Sequence, residues 1–329
     1  LAVQPGHRFA LLIESLIGKA EAVVTSGFEI RVDGSAIASP LALEPAQTAE
    51  LLAEARHLNE SGHGGEAAEL LRRVLSLAPG HPATLAELGL AHAAEGRWRE
   101  AYRWFDEARR RAPWDWEARY QMAVAALQLE ETGKAAALAR EALAVDPLAA
   151  PPLRLLAGLS IERGNYDEAR FWLERLLALD GADLQAHYRL AWLNLRSAKL
   201  AEAADGFRSA SEDESLRADA LYHLGLVQIG LGDNGDAIAT LSRAWRTDGS
   251  DDAALALAEA HLGSGDTTGA EAALKDIVSP GAEAAAAYHK LAVARLEAGE
   301  DEGARRAFAT AVELDSRSAQ GYFALQSLS

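Results

Sequence analysis

The chain has 329 residues, no Cys and a formal net charge of -17 at pH 7. Without Cys it has no disulfide, no thiolate nucleophile and no Cys-ligated zinc site. Its excess of carboxylates disfavours binding to nucleic acid and to anionic membranes, because both need a basic surface.

The balance of Lys and Arg indicates the source of the chain. Only five of the 32 basic residues are Lys, a preference typical of GC-rich bacterial genomes. No apolar run is long enough to span a bilayer. The short apolar stretch at 9–17 contains Glu14, which makes it a poor signal-peptide core. We therefore expect a soluble bacterial protein of the cytoplasm or periplasm that does not insert into a membrane.

Residues 1–47 do not share the pattern of the rest of the chain. Apolar residues at helical spacing predict one amphipathic helix at 5–22. Strand-like stretches follow, separated by Ser-Gly at 26–27 and Asp-Gly at 33–34, which predicts a β-hairpin. This segment either caps the first repeat or forms an arm that pairs with a partner or with another copy of the chain.

From residue 48 onward, a 34-residue pattern recurs through eight units, with one deletion before the seventh. Its clearest copy, residues 82–115, has an apolar stripe at helical spacing, a break at Gly96, a second stripe, and Pro113 where the second helix stops. Two such helices bury too little area to fold alone, so the units must stack. The predicted units start at Thr48, Pro82, Trp116, Ala150, Leu184, Ala218, Asp251 and Ala285.

Two positions of the unit are always small, which predicts close contact between its helices. The twentieth position is Ala in all eight units, and the eighth is Ala or Gly. A larger residue at either position would overpack the contact. In six units a Gly stands in the turn between the helices, where it tolerates a positive φ. These residues are Gly62, Gly96, Gly164, Gly232, Gly265 and Gly299.

Residues 319–329 begin a ninth unit. They are either a closing helix, which such arrays need to cover their last apolar face, or the cut end of a longer array. The predicted organisation is a non-repeat segment at 1–47, eight repeats at 48–318, and this closing helix or partial unit.

The period and the residue pattern resemble the tetratricopeptide repeat over roughly residues 48–318. The closing proline of the repeat is present at Pro79, Pro113 and Pro147 but is replaced in later units. The resemblance implies an all-α fold, a right-handed α-solenoid of about eight helix-turn-helix repeats, and a role in protein–protein interaction.

In proteins with this repeat, the first helices line a concave groove, and the second, fifth, sixth, ninth, twelfth and thirteenth positions of a unit face the ligand. The repeat pattern predicts no packing role for the large indole of Trp192, so Trp192 is the strongest candidate for a ligand contact. The resemblance assigns to the groove an aromatic and basic group: Tyr120, Arg154, Tyr188, Arg189, Trp192, Arg196, Tyr222 and His223.

Aromatic and Arg side chains contribute a large share of the binding energy at protein interfaces. We therefore predict that the groove binds an extended or helical peptide with acidic and apolar groups near Tyr188, Arg189 and Trp192. The alternative is structural: Tyr is common at the fifth position, and Arg pairs with Asp or Glu of the next helix.

Motifs for catalysis or metal binding do not withstand inspection. Gly230, Gly232 and Gly235 have the spacing of a dinucleotide-binding loop but lack the preceding strand that it needs. The nine His show no paired-ligand spacing. We expect no enzyme activity, no cofactor and no metal.

These observations predict a non-catalytic scaffold or adaptor that binds a peptide or protein segment, as part of a larger complex. Two alternatives stay open. One is the docking or regulatory region of a larger enzyme. The other is a self-assembling structural protein, in which the N-terminal segment forms homo- or hetero-oligomers.

Overall fold

The computed structural model describes residues 31–32, 35–36, 45–278 and 281–315. These residues form sixteen α-helices, all too short or too polar to cross a lipid bilayer. The helices are α1 (Pro45–Glu60), α2 (Gly64–Leu77), α3 (Pro82–Ala94), α4 (Trp98–Arg111), α5 (Trp116–Gln128), α6 (Thr132–Val145), α7 (Ala150–Glu162), α8 (Tyr166–Leu179), α9 (Leu184–Arg196), α10 (Leu200–Ala210), α11 (Arg217–Leu231), α12 (Asn234–Asp248), α13 (Asp251–Gly263), α14 (Thr267–Lys275), α15 (Ala282–Glu297) and α16 (Asp301–Leu314).

The chain divides into two compact units, Leu1–Glu95 and Gly96–Ser329. Helices α1 to α3 belong to the first unit and α4 to α16 to the second. The helix predicted at 5–22 and the closing helix predicted at 319–329 lie outside the described residues, so both stay predictions, as does the division at 47 and 318.

Two short strands precede the described helices. β1 (Arg31–Val32) and β2 (Ser35–Ala36) pair antiparallel, with Arg31 opposite Ala36. They flank positions 33–34, where the sequence predicts a hairpin turn.

The helices alternate as the repeat pattern predicts, with two helices per 34-residue unit. Five of the eight predicted starts agree with the observed ones, and the other three helices begin one or three residues early. The predicted fold class, an all-α solenoid of helix-turn-helix repeats, is therefore confirmed. The first helices start at Pro45, Pro82, Trp116, Ala150, Leu184, Arg217, Asp251 and Ala282.

Within Gly96–Ser329, small residues lie where the two helices of a repeat touch. Gly225 on α11 illustrates the constraint, because an added Cβ would stand 2.4 Å from Cγ of Leu241 on α12. The prediction that a larger side chain overpacks this contact therefore agrees with the structure. The alanines at the twentieth position are all fully buried: Ala67, Ala101, Ala135, Ala169, Ala203, Ala237, Ala270 and Ala304.

The twenty-fourth position of each unit is buried, and in every unit except the third, where it is Ala139, it carries a large residue of the second helix. Phe207 on α10, for example, packs with Ala191 of α9 and Leu224 of α11, so one ring joins a unit to the next. Burial of one Leu or Phe contributes about 1.5–3 kcal/mol. The series is Leu71, Phe105, Ala139, Leu173, Phe207, Leu241, Leu274 and Phe308, and all are buried.

The turn between the two helices of a unit always contains a left-handed residue. Six units use the predicted Gly, whereas two use Glu130 and Ala198, with φ of 62° and 56°. A side chain in this conformation costs roughly 1–2 kcal/mol. These two turns are therefore strained.

A buried Arg ties α15 to its neighbours. The Arg295 side chain is only 7% exposed, and its Nη2 donates to Oε2 of Glu271 at 2.6 Å. Its Nη1 donates to the Gly303 carbonyl at 3.3 Å, and its Nε lies 3.5 Å from Oε2 of Glu300. The hydrogen bond from Arg295, aided by Lys275 and opposed by burial, holds the pKa of Glu271 below its ordinary value.

Candidate functional site

Three cavities lie along the first helices of units three to eight, within Gly96–Ser329. The first, about 270 Å³, lies among α5, α7 and α9. The second, about 410 Å³, lies among α7, α9 and α11, and the third, about 310 Å³, among α11, α13 and α15. The first two share Gly158, Glu162 and Arg189. On α11, Tyr222 of the third cavity directly precedes His223 of the second, and the two ring centroids are 5.2 Å apart. The three cavities are together named the groove below.

The structure places seven of the eight predicted site residues in these cavities. Arg196 lines none of the three. That they contact a ligand stays a prediction. Tyr120 and Arg154 line the first cavity, Tyr188, Trp192 and His223 the second, Arg189 both of these, and Tyr222 the third.

Arg154 forms an ion pair with an acidic residue of a neighbouring helix, as the structural alternative to ligand binding predicts. Its Nη2 donates to Oδ2 of Asp183 at 2.6 Å, while Oδ1 of Asp183 accepts from the Ala186 N–H at 2.9 Å and so caps α9. Burial opposes ionisation of Asp183, but these two hydrogen bonds outweigh it and hold its pKa below the ordinary value. Arg154 thus joins α7 to α9 and is less available to a ligand than the sequence suggests.

Arg189 differs from Arg154. Among the described residues it has no hydrogen-bond or ion-pair partner, and it lies in two cavities. Its guanidinium lies against Gly158, where an added Cβ would stand 3.3 Å from Nη1. Its charge helps to lower the pKa of Asp183, but no carboxylate of the described residues is bonded to it. A half-buried cation in this position gains more from an anionic ligand than a paired one does.

Aromatic rings fix the wall beside Arg189. Tyr188 meets Phe207 edge-on at 5.6 Å, and His223 stacks on Phe207 at 5.2 Å. Nδ1 of His223 lies 2.8 Å from the Asp219 carbonyl oxygen, which orients the imidazole. Burial, with a smaller effect of Asp219, raises the pKa of Tyr188, so its hydroxyl is a hydrogen-bond donor at neutral pH.

Trp192 has a packing role, contrary to the expectation from the sequence. Its ring meets Tyr166 of α8 edge-on at 5.9 Å, and the Arg196 guanidinium lies 4.5 Å and 5.0 Å from the centroids of Tyr166 and Trp192. The indole also packs on the cluster that contains Phe207. Trp192→Ala would therefore disturb packing as well as the cavity, which makes Arg189 the cleaner probe.

Sequence reasoning missed the acidic lining of the third cavity. Asp252, Glu259 and Glu283 surround Tyr222 and Lys290 there. Asp252 and Glu259 occupy the second and ninth positions of their unit, so the repeat frame contained that signal. Glu283 could not be found this way, because α15 begins at Ala282, before the predicted unit start.

In the part of the chain that the structure describes, no group of three or more His, Asp or Glu side chains is arranged to hold a metal ion. The residues that line the groove supply charged groups, aromatic surface and hydrogen-bonding groups.

Comparisons with known sequences agree with the repeat. The model of the tetratricopeptide repeat matches residues 58–127, 126–193 and 228–291, more than half of the chain. The model of anaphase-promoting complex, cyclosome, subunit 3 matches residues 162–244. A search of curated proteins returned no match.

Solved structures of similar fold include YrrB, described as a TPR protein with an unusual peptide-binding site. It is 17% identical, with 56% of this chain and 94% of that chain covered and a TM-score of 0.48. PilF of Pseudomonas aeruginosa is 18% identical, with 65% and 98% covered and a TM-score of 0.47. MamA is 20% identical, with 50% and 96% covered and a TM-score of 0.44.

Proposed function

Because the chain belongs to the tetratricopeptide repeat family, whose repeats generally serve protein interaction, we propose that it is a non-catalytic scaffold or adaptor with a peptide-binding groove. The ligand is an extended or helical segment of a partner protein. Its apolar groups lie on Tyr188 and Trp192, and an acidic group bonds to Arg189.

The unpaired Arg189 in the second cavity carries this proposal. Aromatic and Arg side chains in half-buried sites form the hot spots of protein interfaces. Arg binds a carboxylate through two parallel N–H bonds, a geometry that no described side chain supplies to Arg189. Glu162 also lines the cavity. The acidic group of the ligand must therefore contact Arg189 directly to offset repulsion from Glu162.

The rigidity of the aromatic wall supports the same function. Tyr188, Phe207 and His223 hold one another in ring contacts, and Trp192 is held by Tyr166. Side chains that are already ordered lose little conformational freedom when a ligand binds. The second cavity is thus a preformed surface for an apolar side chain.

Selection from a displayed library of random peptides tests the proposal. We expect wild type to enrich peptides that combine acidic and apolar residues. Arg189→Glu should lower the affinity of the best peptide at least about tenfold, because it replaces a hot-spot cation by a repelling anion. Fluorescence anisotropy with that labelled peptide measures the loss.

Arg243→Glu is the matched control. Arg243 is exposed on α12, a second helix, lines none of the three cavities and has no ion-pair partner among the described residues. We expect it to bind like wild type. Equal binding by both variants, or the failure of wild type to enrich any peptide, would overturn the proposal.

A further inference from the structure

The third cavity differs in charge from the second. It lies among α11, α13 and α15 and has an apolar floor that includes Leu226, Leu255 and Leu262. Its acidic side chains are Asp252, Glu259 and Glu283, and its basic one is Lys290. The lining is therefore net negative beside an apolar floor.

Two of these carboxylates have no partner among the described residues. Glu259 accepts from Nζ of Lys290 at 2.9 Å, whereas Asp252 and Glu283 make no hydrogen bond or ion pair there. The pKa of the Tyr222 hydroxyl is raised, chiefly by burial and in addition by the negative charges of Asp252 and Glu283. Two carboxylates without an ion-pair partner among the described residues thus line the same cavity as Tyr222.

From this charge and shape we infer that the third cavity holds a Lys or Arg side chain of the bound segment. The methylene groups of such a side chain would pack on the Leu floor. Its cation would pair with the two carboxylates and lie against the Tyr222 ring. The net charge of -17 attracts a basic group at long range as well. The inference rests on the proposed function and adds a basic residue to the acidic and apolar ligand described above.

The opposite charges of the second and third cavities therefore determine the orientation in which a segment binds to the groove. A carboxylate of the ligand lies at Arg189 on α9, and a basic residue lies toward α13 and α15. The first helices of successive units run in chain order along this surface, so a bound segment takes one of the two possible orientations. Reversing the order of its charges would place like charges together at both ends.

Asp252 and Glu283 also lie in the first turns of α13 and α15, where a carboxylate stabilises a helix through the macrodipole. A control must therefore match that effect. Asp236 and Asp301 lie in the first turns of the second helices α12 and α16, are exposed, and have no partner among the described residues. Neither lines any of the three cavities.

The test uses the peptide library with wild type, Asp252→Asn/Glu283→Gln and the control Asp236→Asn/Asp301→Asn. We expect the peptides enriched by wild type to contain Lys or Arg. The best of them should bind the first variant about tenfold more weakly and the control like wild type, as removal of two exposed ion pairs predicts. A peptide with its Lys replaced by Gln should bind wild type and the first variant equally.

Two results would overturn the inference: enriched peptides without a basic residue, or equal affinity for both double variants. If those peptides still depend on Arg189, the proposed function stands and the basic residue alone is wrong. If no peptide is enriched, or none depends on Arg189, the proposed function fails as well.

Discussion

The guanidinium of Arg189 lies against Gly158, next to the position that the side chain of any larger residue at 158 would occupy. The two residues are 31 positions apart. In two other pairs at this separation the side chains neutralise each other: Arg56 with Glu87, and Glu259 with Lys290. Since Gly158 provides no carboxylate, Arg189 keeps its charge for a ligand.

This relationship predicts the effect of restoring a partner. Gly158→Glu should form the same pair with Arg189 that Glu259 forms with Lys290, and should lower peptide affinity at least about tenfold. Stability should rise by about 0.5–1 kcal/mol, because Gly is a poor residue for a helix interior. Anisotropy and urea denaturation measure the two effects.

Gly158→Ala distinguishes the two ways in which Gly158→Glu could weaken peptide binding, which are neutralisation of Arg189 and steric crowding of its side chain. Its Cβ would approach only the flexible end of Arg189, so it should raise stability similarly and keep affinity within about twofold. If Ala and Glu reduce binding equally, neutralisation of Arg189 is not the cause.

The strained turns predict a stabilising substitution. Ala198 is left-handed, with φ of 56°, so Ala198→Gly should raise the free energy of unfolding by about 1 kcal/mol. Thermal or urea unfolding checks the sign. Ala137→Gly, at an exposed position inside α6, is the control and should destabilise by about 0.5–1 kcal/mol. A loss of stability from both substitutions would contradict the strain.

Close packing within the sixth unit predicts opposite effects of one substitution at two glycines of α11. Gly225→Ala should destabilise by about 1–3 kcal/mol, because its Cβ would stand 2.4 Å from Cγ of Leu241. Gly230→Ala should be neutral or stabilising by up to about 1 kcal/mol, since its Cβ would have only an ordinary contact of 3.6 Å with Cδ1 of Leu200. Denaturant midpoints of the two variants compare them directly.

The Arg295–Glu271 pair predicts a pH dependence. The pKa of Glu271 is lower in the folded protein than its ordinary value of 4.5. Its stabilising contribution is therefore complete above pH 4.5 and is lost as the pH falls through the lower folded value. Glu271→Gln should cost about 1–2 kcal/mol at neutral pH, and its difference from wild type should shrink below pH 4.5.

Urea denaturation at neutral pH and at steps below 4.5 measures that difference. Glu141→Gln is the control, because Glu141 is exposed on α6 and has no hydrogen-bond or ion-pair partner among the described residues. It should differ little from wild type at every pH. A Glu271→Gln difference that is constant with pH would show that the carboxylate charge is not stabilising.

The sequence predicts the helix pairs well because the requirement for close approach recurs in every unit. Ala at the twentieth position identifies every pair, and the Gly turn identifies six of the eight, without any knowledge of distant contacts. The left-handed Glu130 and Ala198 show the limit of that rule, because these two turns adopt a positive φ although no Gly is present.

Side-chain partners were harder to predict, because they depend on residues from other units. Asp183 pairs with Arg154, which lies 29 positions earlier in the chain. The ring of Trp192 packs against Tyr166 of the preceding second helix. Neither contact follows from the position of one residue in its own repeat. The early start of α15 likewise moves Glu283 into the groove.

Hydrogen–deuterium exchange, with and without the tightest peptide selected by wild type, tests most directly that the ligand lies on the first helices. Binding suppresses local opening where the ligand makes contact. We predict slower exchange in α7, α9 and α11, with little change in α8, α10 and α12. Slower exchange confined to those second helices, or to residues 45–94, would contradict the groove as the binding site.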